Sequence, residues 1–240
     1  MRFLYIFPHP DDESFGPATA MAAQIRAGHE VYLLTLTKGG ATKKRHELGL
    51  SEHEMGEVRV EEMKAVSKTL GLDGMQILDF PDSGLAYLDP RLLEVAIHTH
   101  IQKIQPDCLI SYAPFGVSGF IDHLITHAVV KRVFVEIEKD EAFRTNHLAM
   151  FCLSEKQIES TKSKFGLRPS KEEDIKLRLP VTEGDIQQMR KALKCYKTYQ
   201  DTIEASGVLN IIHEEVCFEL FHYHGPALDA FEKLAAKNTQ

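Results

Sequence analysis

Two short stretches of this 240-residue chain set imidazole beside carboxylate: His9, Asp11 and Asp12 near the start, and Asp122 with His123 near the middle. Each stretch follows an apolar run that reads as a strand. Neighbouring parallel strands lie about 5 Å apart, so residues at the carboxyl ends of nearby strands can share one metal ion. Imidazole plus carboxylate is a ligand set suited to zinc, and three protein ligands leave a position for water. Because adjacent residues point in different directions, one aspartate can bind the ion while the other faces the water. That division is what metal-assisted attack on a carbonyl needs: the ion brings a water to a pKa of about 7, and a carboxylate takes its proton.

The elements that must position these residues follow from hydrophobic period. Apolar runs at 3–7, 31–37, 76–80, 108–112, 147–153 and 215–221 read as strands, separated by helical patterns at about 15–27, 54–70, 90–104, 122–138 and 183–202. Pro17 in a first turn, and Gly28 and Gly71 past helix ends, punctuate the chain as starts and stops do. The polar stretch 38–51 reads as a loop over the sheet. Alternating strands and helices imply an α/β, Rossmann-like fold, a mostly parallel sheet with helices on both faces, whose ligands bind outside the carboxyl ends of the strands. Residues 155–183 are charged and without clear period, and are expected to form a cap over the site.

Within this frame Pro8-His9-Pro10-Asp11-Asp12-Glu13 resembles the hallmark of the PIG-L/LmbE-like N-deacetylases. Gly56-Glu57-Val58-Arg59 with Glu62 is similar to that family's GxxRxxE stretch, and Asp79-Phe80-Pro81-Asp82-Ser83-Gly84 to its strand-end aspartate loop. The resemblance covers residues 3 to about 153 and implies a single LmbE-like domain over 1–240. It implies that His9, Asp12 and His123 hold Zn2+, with Fe2+ the alternative ion, that Asp11 is the general base, and that Arg59 and Asp82 touch substrate. The implied substrate is an N-acetylglucosamine-type small glycoconjugate losing its acetyl group, and homo-oligomers are implied to be common.

One position departs from the pattern. The family's second motif usually reads His-Pro-Asp-His, whereas this chain has Phe120-Ile121-Asp122-His123. The resemblance gives the missing histidine the task of polarising the oxyanion or protonating the leaving amine, and loss of one such donor costs about two to three decades of rate. His127, Tyr112, His222, Tyr223 and His224 are the candidate replacements, with His127 also spaced as a fourth ligand. On spacing alone Arg59 fits a solvated helix face and Asp82 fits simple turn chemistry equally well. The substitution keeps open a hydrolase of a non-sugar amide, or a carbohydrate- or metal-binding module with weakened catalysis.

Composition narrows the classes. A formal net charge of −7 with scattered Lys and Arg leaves no basic field for nucleic acid. The four cysteines form no CxxC pair and read as buried free thiols, which fits a reducing, cytoplasmic setting. No apolar run approaches a membrane span, so no membrane partner is expected.

Overall fold

A computed structural model describes residues 1–161, 166–210 and 214–235. Its first strand, β1 (Arg2–Phe7), generates the layers by alternation: Phe3, Tyr5 and Phe7 enter one core, Leu4 and Ile6 the other. With both faces covered, the strand is almost continuously apolar, as a central parallel strand must be. The chain continues through α1 (Asp12–Phe15), α2 (Ala18–Arg26), β2 (Glu30–Thr37), α3 (Lys44–Leu48), α4 (Glu52–Leu70), β3 (Gly74–Phe80) and α5 (Pro90–Ile104). It then forms β4 (Cys108–Tyr112), α6 (Ile121–Ile137), β5 (His147–Cys152), α7 (Glu155–Thr161), β6 (Ile175–Pro180), α8 (Glu183–Leu193), α9 (Gln200–Ser206), β7 (Glu215–Leu220) and α10 (Glu232–Ala235).

The seven strands lie in the order β3-β2-β1-β4-β5-β7-β6. β1 pairs in parallel with both β2 and β4, β2 with β3, and β4 with β5, while β7 runs antiparallel to β5 and to β6. The chain first builds outward from β1 to β3 and then restarts at β4 on the other side. β1 and β4 therefore flank a topological switch point, where crossover loops diverge and leave a crevice. Helices α2, α4 and α8 pack on one face, α5 and α6 on the other. Local signals agree with these boundaries: Ser51 and Glu54 form a capping box for α4, and Gly71 at φ +77° closes it. Among the described residues no helix is long and apolar enough to cross a membrane. All four cysteines are free, with Cys108, Cys152 and Cys217 buried.

Three elements differ from expectation. The polar loop 38–51 contains the short helix α3. The segment 155–183 holds α7 and the strand β6, whose Ile-Lys-Leu-Arg-Leu alternation suits a half-buried edge strand but is masked by surrounding charge; residues 162–165 of that expected cap lie outside the described residues. The helix expected over 183–202 stops at Leu193 and resumes as α9. No Gly or Pro marks the break. Its cause is tertiary: Glu62 of α4 accepts from Thr198 N at 2.8 Å and from Thr198 Oγ1 at 2.9 Å, which pins the connecting turn.

Candidate metal centre

The turn after β1 is bent by Asp11, which sits in the left-handed region at φ +84°. Such a conformation is costly for a side chain other than Gly, Asn or Asp and persists where neighbours over-determine it. Here Arg59 Nη2 donates to Pro10 O at 2.7 Å and to Asp11 Oδ2 at 2.6 Å, Arg59 Nη1 donates to Gly39 O at 3.1 Å, and Asp11 N donates to the Tyr196 hydroxyl at 2.8 Å. Tyr196 in turn donates to Glu13 Oε1 at 2.7 Å. The bend delivers Asp12 into the first turn of α1, facing the mouth of the switch-point crevice.

Asp12 Oδ2 accepts from His9 N at 2.8 Å, and Oδ1 accepts from the Tyr112 hydroxyl at 2.7 Å. Two imidazoles close on the same carboxylate: His123 Nε2 lies 3.2 Å from Oδ1, and His9 Nδ1 lies 3.4 Å from Oδ2. The outer nitrogens show which atoms are free to ligate. His123 Nδ1 is 2.9 Å from Gly116 O, so it carries the proton and leaves the Nε2 lone pair pointing at Asp12. His123 is also stacked on the Tyr112 ring, with centroids 4.3 Å apart and planes 7° from parallel. His9 Nε2 lies 3.3 Å from both Asp82 Oδ1 and Asp122 Oδ2, so Nε2–H donates to a carboxylate and the Nδ1 lone pair is left to face Asp12 and an ion.

Ligand atoms of His9, Asp12 and His123 all lie within 4.8 Å of one another, a spacing that one cation at ordinary bond lengths of about 2 Å can span. His9, Asp82 and Asp122 meet the same distance test. Since the Nε2 of His9 is their common atom, the two aspartates are better suited to orienting the ring. The set of two imidazoles and one carboxylate is chemically suited to Zn2+ and to Fe2+.

Electrostatics agree with a cation site. Burial lowers the basicity of His9, but hydrogen bonds to Asp12 and Asp122 and the charge of Asp82 outweigh it and carry its pKa up to about 10. The field that holds a proton there also favours a divalent ion. Burial raises Asp12, yet His123 and His9 overcome it and hold that carboxyl far below the usual range. Burial raises Asp11 to about 6 against the pull of Arg59, and raises Glu13 to about 7 against its bonds to Ser14 and Tyr196. Arg59 remains cationic, burial being outweighed by Asp11.

The structure thus brings His9, Asp12 and His123 together and lines one cavity of about 630 Å³ with them and with Asp11, Arg59, Asp82 and Phe120. Arg59 is 3% exposed, so it addresses the cavity chiefly through Asp11. Asp82 Oδ2 accepts from Ala41 N at 2.7 Å, which ties the loop after β2 to the site. Of the candidate replacements for the missing histidine, Tyr112 is present but committed to Asp12. His127 is held at its Nδ1 by Tyr112 O at 2.9 Å and falls outside both ligand groups. His222, Tyr223 and His224 are a correction: β7 runs antiparallel to β5, so its carboxyl end lies beside the amino end of β5, away from the site, with His222 3.4 Å from Glu138. Tyr196 and Tyr199 also reach the site, the latter with Arg59 Cζ 4.4 Å from its ring centroid.

The family model described as "PIG-L: GlcNAc-PI de-N-acetylase" matches residues 4–134, just over half of the chain. The chain belongs to the PIG-L family. A curated relative from Kineococcus radiotolerans, a 1D-myo-inositol 2-acetamido-2-deoxy-alpha-D-glucopyranoside deacetylase, is 30% identical over 161 residues, covering 56% of this chain and 45% of its own. The chain spans about half the length of such relatives. Among solved structures, the zinc-inhibited form of teicoplanin deacetylase Orf2 superposes with a TM-score of 0.71 at 14% identity, covering 92% of this chain and 97% of its own. The 4-carboxy-2-hydroxymuconate hydratase GalB of Pseudomonas putida KT2440 superposes at 0.65 with 15% identity, covering 95% and 99%. One fold in this PIG-L neighbourhood therefore carries more than one reaction, and the chemistry must be argued from the site.

Proposed function

We propose that this PIG-L chain is a metal-dependent amide hydrolase that removes an acyl group from the amino nitrogen of an N-acetylglucosamine-type conjugate. The observation that carries the reading is the convergence of His9 Nδ1, Asp12 and His123 Nε2, each with its other polar atoms already satisfied, beside the charge-tuned Asp11. The names of the curated relatives support the amino-sugar substrate. His9, Asp12 and His123 hold the ion, taken as Zn2+. When bound, Zn2+ supplies Lewis acidity that lowers the pKa of a water and polarises the amide carbonyl.

Asp11 removes a proton as the water oxygen bonds to the carbonyl carbon. The same proton then goes to the amide nitrogen as the C–N bond breaks, and with the second water proton passing to the amine the products leave as a carboxylate and an ammonium ion. A carboxyl near pKa 6 is matched to giving and taking a proton at neutral pH. Arg59 keeps Asp11 in place and partly ionised, and Asp82 stands on the cavity wall as a substrate contact. Asp82 and Asp122 fix the tautomer of His9. Asp122→Asn is expected to weaken zinc binding by about tenfold, with Asp82 supplying the remaining acceptor, and the Asp82→Asn/Asp122→Asn pair by about a hundredfold. Titration against a chromophoric chelator measures both.

Phe120 and Ile121, 57% and 59% exposed at the cavity rim, favour a second reading in which the amine half is not a sugar. The test is amine release by zinc-loaded protein from a panel of N-acetyl amino-sugar conjugates and N-acetyl amino acids. Turnover of the sugars supports the proposal; turnover of the amino acids alone replaces it with the second reading. If neither is cleaved and no stoichiometric metal is retained, both readings are lost.

A further inference from the structure

The cavity has two chemically different ends. At the mouth, Ser83, Phe120 and Ile121 are exposed, with Asp82 on the wall beside them; Asp122, 3% exposed, is turned to His9 and Leu85 N. From the metal residues the cavity continues past the ends of β5 and β7 and under α8, where Phe151, Leu153, Ile186, Met189, Val208 and Val216 form its wall. Five of these, all but Leu153, are between 4% and 6% exposed, so this end is enclosed rather than an open groove. Of the polar side chains at this end, Gln157 Nε2 donates to Glu215 O at 3.0 Å, Ser206 Oγ donates to Ile203 O at 2.7 Å, and the Glu215 carboxylate is paired with Arg178. A sugar hydroxyl placed there would lose water and find little in return, which is unfavourable. An alkyl chain loses nothing.

Gly16 stands where the two ends meet. A Cβ there would come within 2.7 Å of Asp12 O and 3.1 Å of Phe151 Cε1, so the cavity wall between Asp12 and Phe151 has no room for a side chain. The amide has only two halves to distribute. The amine half carries the aglycone and needs the open, solvent-facing mouth; the acyl half matches the enclosed apolar end.

We propose that the enclosed end is an acyl-chain subsite and that the preferred scissile group is an unbranched acyl chain longer than acetyl. This rests on the amide-hydrolase reading above, keeps its amine half and puts a longer acyl group in place of acetyl. The test uses zinc-loaded protein and glucosamine conjugates that share one aglycone and carry N-acetyl, N-butanoyl, N-hexanoyl or N-octanoyl groups. Burial of each methylene is expected to raise kcat/KM by about fourfold until the chamber is filled. Val216→Phe and Ile186→Phe, which shorten the chamber, should each lower the octanoyl-to-acetyl ratio by at least about tenfold.

A rate that is highest for acetyl and falls with every added methylene overturns the subsite and leaves the hydrolase reading standing. If no member of the series is cleaved, the hydrolase reading fails, and the subsite is then decided by calorimetric titration of the protein with octanoate and with acetate. Saturable octanoate binding that is absent for acetate and weakened by either variant upholds an apolar chain site; absence of octanoate binding overturns it. A rate that responds to the length of an alkyl aglycone and not to the acyl chain also overturns the assignment, since the amine half then fills the chamber.

Discussion

Asp11→Asn should lower kcat for N-acyl amino-sugar hydrolysis by about two to four decades while metal content stays at that of the wild type. The substitution is close to isosteric, and the amide oxygen can still accept from Arg59, so the bend at φ +84° keeps its clamp from Arg59, Pro10 O and Tyr196. What disappears is the capacity to take a proton. Asp12, the adjacent carboxylate, cannot substitute: both of its oxygens are engaged by His9 N and Tyr112, and its two imidazole neighbours hold it ionised. A loss of less than tenfold, with metal content unchanged, would remove Asp11 from the role of base.

The pH profile gives a second measure of the same residue. Burial pushes the Asp11 carboxyl up to about 6 and Arg59 pulls it down. Activity that needs the ionised carboxylate is therefore lost as pH falls through its pKa. Replacing Arg59 by Met removes the downward pull, so the acid limb of kcat/KM should move to higher pH, whereas Lys should hold it closer to the wild-type position. A merely structural Arg59 would lower amplitude without moving the limb.

Much of this centre can be read before any coordinates, because its key residues sit at the ends of apolar strands. β1 and β4 are short, apolar and followed at once by His9-Pro10-Asp11-Asp12 and, after a loop, Asp122-His123, so the two halves of the candidate ligand set announce themselves. The supporting residues do not. Tyr196 reaches Asp11 and Glu13 from 183 or more residues away, across a helix break that carries no Gly or Pro and is imposed by Glu62 holding Thr198. That contact exists only once α4 and α8 are packed together. Strand direction is equally hidden: the pattern of β7 shows a strand, but nothing in it says antiparallel, and so His222, Tyr223 and His224 were expected at the wrong end of the sheet. The apolar chamber is assembled from β5, β7 and α8 and has no local signature at all, since each of its residues reads simply as core.

Phe120→His should raise kcat on N-acetyl amino sugars by about two decades. Phe120 precedes α6 in extended conformation at φ −60°, ψ 137°, and its ring meets His123 edge-on, with centroids 5.4 Å apart and planes at 85°. It lines the cavity on the side of the metal residues. Being 57% exposed, it has room for the smaller imidazole, and little core packing is lost. From that place a ring N–H can address the oxygen or nitrogen of a bound amide, a task for which neither Tyr112, spent on Asp12, nor the Arg59 guanidinium, spent on Asp11 and two carbonyls, is free. On the proposed mechanism Asp11 then carries the proton both ways in the wild type, and the developing charge on oxygen has less help. A histidine relieves that double duty, and the pH profile should gain a basic limb as the imidazolium deprotonates near its ordinary pKa of about 6.5. If kcat/KM instead falls, with the largest fall for the longest acyl chain or the least polar aglycone, the phenyl ring is itself a substrate contact and the apolar mouth is a working part of the chain's specificity.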